Sequence, residues 1–409
     1  MFKQFKQIFL VNFWHTGKAM IVLAIFATAY YGLMGSGWAV TGEMTKWGGE
    51  FLELFGADLS KYSYYKLDGT PLSRKAGVML IGMFIGAFVA ALLANKVKIR
   101  FPASKIRVFQ AIIGGILTGF GARLAYGCNL ANFFTGLPYF SLHTWFFTIS
   151  MIVGIYTAVK LLNIKFFKPK AKLLRSATGK GQGFKIDEKR AKRHFIFGIV
   201  IFILFLGWFF YMFINAPELN VKNTKSMLPI ALLFGFIFGF IISRGQICFT
   251  SCFRDMFLFG RTIAIKGAII GMIISCILVY AFVLNGHSVK LVEISLGVII
   301  GGFLFGFGIV FAGGCECGWT YRAFEGQVHF MIVGIANFIG TMILALSYDA
   351  IPSFIKSGVK INMLETFGSF GGLILNLALF GVMGFLAYIY QRDFFKNRSF
   401  KWVNFMMEK

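Results

Sequence analysis

The stretch Gly114-Gly115-Ile116-Leu117-Thr118-Gly119-Phe120-Gly121, followed by Tyr126-Gly127-Cys128, recurs 187 residues later. There it reads Gly301-Gly302-Phe303-Leu304-Phe305-Gly306-Phe307-Gly308, followed by Gly313-Gly314-Cys315. One residue drops out downstream, and the match resumes with His143 against His329 and Gly154 against Gly340. Upstream, Gly82 and Gly86 answer Gly267 and Gly271. More faintly, Gly35-Ser36-Gly37-Trp38-Ala39-Val40 answers Ser243-Arg244-Gly245-Gln246-Ile247-Cys248. Self-similarity at a constant offset marks an internal duplication.

The duplicated material is apolar. Of 409 residues, 57% are hydrophobic and 14% are charged, and the mean hydropathy is +0.74. Soluble domains carry about a quarter charged residues, and a soluble fold of this composition would expose large apolar patches. Lipid is the solvent that fits. The net charge of +25 reads as the positive-inside bias of membrane proteins. Nucleic acid is not an expected partner, because no basic strip is interleaved with aromatic residues. The N-terminal run, with Lys3, Lys6 and Lys18 before Ala27-Thr28-Ala29, mimics a secretory signal. It is read as a retained first span, since the apolar character continues to Val40.

A spanning helix needs about 20 mostly apolar residues. Ten segments qualify, near 19–36, 77–95, 108–124, 144–162, 195–215, 227–243, 266–284, 294–311, 328–347 and 367–390. Basic residues concentrate in the 96–107 loop, in the 163–194 loop with its eleven lysines and arginines, and in the tail at Arg392, Lys396, Arg398 and Lys401. These places read as cytoplasmic, and so do both termini. The fold class expected is an all-α polytopic membrane protein of about ten spans. Residues 1–162 form a first four-span half, and 163–226 a cytoplasmic basic loop with a linking span. Residues 227–348 form a second half, and 349–409 a last span with a basic tail. The linking span makes the two halves inverted repeats, an architecture many transporters use.

Four stretches interrupt the helices: 35–46, 119–138, 243–261 and 312–327. Non-helical backbone at membrane depth must be buried in protein or line a polar cavity, so the four are expected to meet in an hourglass. Five of the six cysteines lie in them. Cys128 stands in Gly121-Ala-Arg123-Leu-Ala-Tyr-Gly-Cys-Asn129. Cys248 and Cys252 stand in Gln246-Ile-Cys-Phe-Thr-Ser-Cys-Phe-Arg254-Asp255, and Cys315 and Cys317 in Gly313-Gly-Cys-Glu316-Cys-Gly318. Cys276, inside an apolar run, reads as a small buried hydrophobe. A soft thiol can hydrogen-bond to, or exchange with, a soft sulfur or selenium atom. Among the charges of the breaks, Arg123 has no acid nearby in sequence and reads as an anion-attracting group. Arg322 either pairs with Glu316 or Glu325 or attracts anions as well. His143 and His329 are repeat-related; they relay protons or sit at the interface beside Trp145 and Phe330. No P-loop, flavin or haem signature is present, and neither a resident metal nor a cofactor is expected.

The three cysteine motifs together, across roughly residues 20–390, resemble the YeeE/YedE family. The resemblance implies inverted halves with short helices meeting at the centre, and uptake of a sulfur compound along successive thiols. The Cys248/Cys252 pair and the Cys-Glu-Cys run are similar to the selenium-associated YedE branch. On that basis the solute expected first is a small selenium compound, with thiosulfate as the alternative. A membrane thiol-exchange enzyme and a soft-metal transporter are the rivals from other classes. The resemblance makes Cys128, Cys248, Cys252, Cys315, Cys317, Arg123, Asn129 and Arg322 the pathway residues. It places the chain in a bacterial cytoplasmic membrane, with a cytoplasmic sulfur- or selenium-accepting protein as partner. The first break departs from the pattern, since Val40 stands where a cysteine would be.

Overall fold

A computed structural model describes residues 6–65, 67–164, 167, 188–217 and 223–407. Most of the basic 163–194 loop, and Lys3 in the N-terminal run, lie outside the described residues. The chain is helical. Its only strands among the described residues are Glu293–Ile294 and Val359–Lys360, a two-residue antiparallel pair. Five helices precede the linking segment: α1 (Thr16–Met34), α2 (Thr41–Glu53), α3 (Lys75–Leu93), α4 (Lys105–Leu124) and α5 (His143–Leu162). The linking helix is α6 (Glu188–Ile214). Six longer helices follow, α7 (Thr224–Gly245), α8 (Phe249–Phe259), α9 (Ile263–Leu284), α10 (Leu296–Ala312), α11 (Glu316–Phe324) and α12 (Val328–Ser347), and then two single turns at Ser353–Lys356 and Met363–Thr366. The last is α13 (Ser369–Met407).

Among the described residues, nine helices are long and apolar enough to cross a membrane, counting α7 with α8 and α10 with α11 as single bent spans. The tenth expected span, α4, is helical but is diluted by Lys105, Arg107, Gln110 and Arg123. It is wrapped by α10 and α12. Neighbouring protein thus shields the less apolar helix. By contrast, only Gly198 and Phe205 of α6 are buried, so α6 turns its apolar surface to lipid.

The helix pairing reflects the duplication. α3 packs along α7, and the repeat equivalents α9 and α1 pack in the same way; α4 with α12 is likewise answered by α10 with α5. Each half therefore completes the other, and the two do not form separate bodies. Close approach at these crossings depends on glycine. A Cβ at Gly86 would run into the Phe236 carbonyl on α7, and one at Gly267 into the backbone of Gly17 on α1. Without a hydrophobic force between helices in lipid, such small-residue contacts supply the packing energy.

At one face the α1–α4 side opens into a vestibule of about 1360 Å³. Its rim is fixed by Arg74, whose guanidinium reaches Glu43 Oε1 at 2.6 Å and Glu50 Oε1 at 2.7 Å. At the opposite face the 96–107 loop docks on the end of α11: Lys98 N–H donates to the Glu325 carbonyl at 3.0 Å and Arg100 N–H to that of Gly326 at 2.8 Å.

Candidate functional site

The four breaks share one construction. α1 ends at Gly35 (φ 66), α4 just before Tyr126 (φ 56), α7 at Gln246 (φ 48) and α10 at Gly313 (φ 79). Each left-handed residue turns the chain out of its helix. A few residues later an extended residue starts the next half-helix. In three breaks that residue is a cysteine: Cys128 before a wide helical turn at Asn129–Phe134, Cys248 before α8 and Cys315 before α11. In the first break Val40 precedes α2 with helical backbone (φ −116, ψ −37). Cys128 (φ −88, ψ −176) and Cys315 (φ −83, ψ −176) have almost the same backbone, as the 187-residue offset requires.

A helix start leaves N–H groups without intrahelical partners. Ser104, Asn223 and Ser295 satisfy theirs with a side-chain oxygen. Cys128, Cys248 and Cys315 provide no side-chain cap. Two helix N-termini, those of α8 and α11, each with a partial positive charge, and the free N–H groups of the wide turn after Cys128 thus stand at thiols in the closed centre. The breaks of the two halves touch through their aromatic residues: ring centroids lie 5.3 Å apart for Phe133 and Phe253, and 4.6 Å for Phe134 and Phe249.

All five break cysteines are fully buried. Cys248 Sγ lies 3.8 Å from Cys315 Sγ. Cys128 lies beside the Glu316 carboxyl, and Cys317 is within electrostatic reach of Cys128, Glu316 and Cys248. Cys252 follows one turn after Cys248 on α8. Asn129 is buried with both amide atoms lacking a protein partner, as is one oxygen of Glu316. Unpartnered polar atoms in a protein interior call for a ligand or water. Cys276 lies apart from this cluster, where Asn376 Nδ2 donates to its sulfur at 3.4 Å.

Cations stand at both ends of the cluster. Toward the vestibule, a narrow cavity of about 130 Å³ is lined by Trp38, Arg123, Asn132, His143 and Lys290 among others, and it reaches Gly127 beside Cys128. Arg123 stacks over Tyr64 at 5.0 Å and has a buried Nε without a partner. Toward the opposite face, Arg254 and Arg322 both donate to the Gly313 carbonyl, at 3.2 and 3.0 Å.

Of the two readings left open for Arg322, the ion pair is not formed: Arg322 has no ion pair with Glu316 or Glu325 among the described residues. The left-handed turn at Gly313 presents a carbonyl to it, and Phe330 lies under its guanidinium at 4.9 Å. Glu325 instead accepts from Gln246 and Gln327. His143 is buried in the cavity wall, 2.7 Å from Ser141 Oγ. His329 does stand beside Phe330, where its Nε2 meets the Ala312 carbonyl at 2.9 Å. Lys290 and Asn337 were not singled out in the sequence. Lys290 lies in an ordinary loop, whereas Asn337, an amide inside an apolar helix, carried a readable signal.

Broken helices closing on a thiol cluster, with arginines at either end, define a polytopic membrane transport protein. The profile of the family described as "Sulphur transport" matches residues 2–157 and 244–405, and the chain belongs to that family. It is 45% identical over 401 residues, 97% of each chain, to "Probable transporter YedE" of Escherichia coli (strain K12). Shorter matches are to "Thiosulfate transporter TsuA" of Spirochaeta thermophila and of Escherichia coli. The first is 44% identical over 106 residues, 24% of this chain and 31% of that protein. The second is 36% identical over 105 residues, 25% and 30%. Where these names state a cargo, it is thiosulfate. They favour the sulfur alternative over the selenium compound placed first on sequence resemblance.

Proposed function

We propose that this protein takes thiosulfate across the bacterial cytoplasmic membrane, along a path that runs from Arg123 and Lys290 through Cys128, Cys315 and Cys248 to Arg254 and Arg322. The observation that carries this reading is the pairing of buried thiols with uncapped helix N-termini. A dianion leaving water must find donors in return. Backbone N–H groups at the three half-helix starts face its oxygens, and thiols, as weak donors, face its terminal sulfur. Weak successive contacts let an anion both enter and leave. Hard cations would need oxygen ligands, and no His/Cys/Asp/Glu group able to hold a metal occurs among the described residues.

The division into two inverted halves, residues 1–162 and 227–348, belongs to this proposal. So does the orientation with the termini, the 96–107 loop and the Arg254/Arg322 end in the cytoplasm. The basic residues of that loop support it. A cytoplasmic sulfur-accepting protein would then trap the cargo.

The test is uptake of radiolabelled thiosulfate, with selenite in parallel, into cells that lack their own carrier. Cys128→Ala and Cys315→Ala should each cut thiosulfate uptake about 10- to 100-fold, the worth of a hydrogen bond to a charged group, about 1.5–3 kcal/mol. Cys276→Ala should transport normally. Uptake unchanged by the first two substitutions would remove the thiols from the path, and chemical alteration of thiosulfate by the purified protein would favour an exchange enzyme. Arg123→Gln should raise the apparent KM about tenfold or more at low ionic strength and less at high salt, as expected for electrostatic collection of an anion.

A further inference from the structure

The repeat places Glu316 on Asn129, since each directly follows the pathway cysteine of its half and opens the next half-helix. Both are fully buried. Asn129 has neither amide atom paired within the protein, and Glu316 Oε2 is unpaired too. Glu316 Oε1 has a long 3.4 Å contact from Asn337 Nδ2. We infer that Glu316 carries a proton through the transport cycle, so that the anion crosses together with that proton. The inference deepens the anion-carrier reading and rests on it.

The surroundings of Glu316 hold no counter-charge. Cys128, Cys248, Cys315, Cys317 and Asn337 lie around it, and none of these is a cation. The charged groups on its own helix and on the helices packed against α11 are engaged elsewhere. Arg244 donates to the Val11 and Asn12 carbonyls. Arg254 holds Asp255 and the Gly313 carbonyl, and Arg322 holds that same carbonyl. Glu325 is bonded to two glutamines and His329 to the Ala312 carbonyl. Lys75, at the start of α3, and Lys225, at the start of α7, line the vestibule. A carboxylate without a partner in such a place is more costly than the neutral acid.

The amide at the matched position explains why the acid form is the useful one. Asn129 offers N–H donors to the centre. A protonated Glu316 offers an O–H donor from the equivalent point of the other half, so both halves present a donor to the anion. An ionised Glu316 would instead repel it. The cycle then balances simply. Glu316 takes a proton from vestibule water, donates its O–H to the anion, and loses the proton to the opposite face after the anion has left. No other bond forms or breaks, and the net charge crossing falls by one.

The test uses full-length protein in liposomes, with radiolabelled thiosulfate and an imposed pH gradient, acid on the vestibule side. Wild type should accelerate with the gradient and draw protons from the acid side on addition of thiosulfate. E316Q keeps a donor but no releasable proton, so whatever exchange of labelled for unlabelled thiosulfate remains without a gradient should no longer respond to an imposed gradient, and the proton signal should be lost. E316Q retaining both overturns the proposal. Should E316Q lose exchange as well, Asn129→Asp decides: a second carboxyl at the matched position should add to the protons drawn per anion, and an unchanged ratio overturns the proposal. If wild-type protein moves no thiosulfate, the cargo reading fails by itself. The carboxylic-acid C=O infrared band that wild type shows and E316Q lacks still tests Glu316, and its absence from wild type overturns the proposal.

Discussion

Gly318→Val is expected to reduce thiosulfate uptake to background while the protein still reaches the membrane folded. A Cβ at Gly318 would stand 2.5 Å from Cys248 Sγ, 3.2 Å from Cys248 Cβ and 3.7 Å from Cys315 Sγ. The first turn of α11 cannot step aside, because the next residue, Trp319, packs its ring against Gly334 of α12. The Cys248 thiol must therefore leave its place opposite Cys315, and the added methyl groups fill the space between them. Overpacking of this kind costs about 1–3 kcal/mol, a loss that a large membrane fold survives, while a blocked path does not conduct. Gly207→Val on lipid-facing α6, where nothing lies within 4 Å, should transport normally. Uptake is to be compared at equal membrane levels of each variant. Wild-type uptake by Gly318→Val would show that the anion does not pass between these two thiols.

Glu43→Ala should be the most destabilising single change at the vestibule. Its carboxylate accepts from Arg74 Nε at 2.9 and 3.1 Å and from Trp47 Nε1 at 2.8 Å. The side chains of Arg74 and Glu43 are 9% and 2% exposed. Removing Glu43 leaves the guanidinium with Glu50 and the Gly69 carbonyl alone. Breaking a buried pair from one side costs about 3–5 kcal/mol, whereas replacing both partners by apolar residues of similar size is close to neutral. Thermal unfolding in detergent should therefore show a large fall for Glu43→Ala and recovery in the Glu43→Leu/Arg74→Met double variant. Equal melting of the single variant and wild type would mean that the rim does not depend on this pair.

The parts of the molecule that were legible in the sequence share one cause: a helix in lipid cannot be interrupted without a mark. Glycines at 35 and 313, and cysteines two residues after the turns at 126, 246 and 313, marked the breaks in the sequence, and the 187-residue offset paired Cys128 with Cys315. Geometry that depends on a carbonyl left free by a turn was not legible. For Arg322 the sequence left open an ion pair with Glu316 or Glu325, two acids close by, or anion attraction; the reversal at Gly313 turns a backbone oxygen toward it. His143 was read as a proton relay or as an interface residue beside Trp145. It is buried against Ser141, and the Trp145 indole turns inward to Asn376. Lys290 comes to the cavity from a loop far from every break, and no periodicity points there.

The exchange of helices between the halves has one more consequence. A half-turn that swaps α1 with α7 and α4 with α10 also swaps the entrance with the exit, so a perfectly duplicated chain would conduct alike in either sense. At the half-helix starts the match is broken where Val40 faces Cys248, Asn129 faces Glu316 and Leu130 faces Cys317. Any rectification of flow would have to originate at such mismatches. Making the two copies identical at these places would remove any such asymmetry without altering the frame.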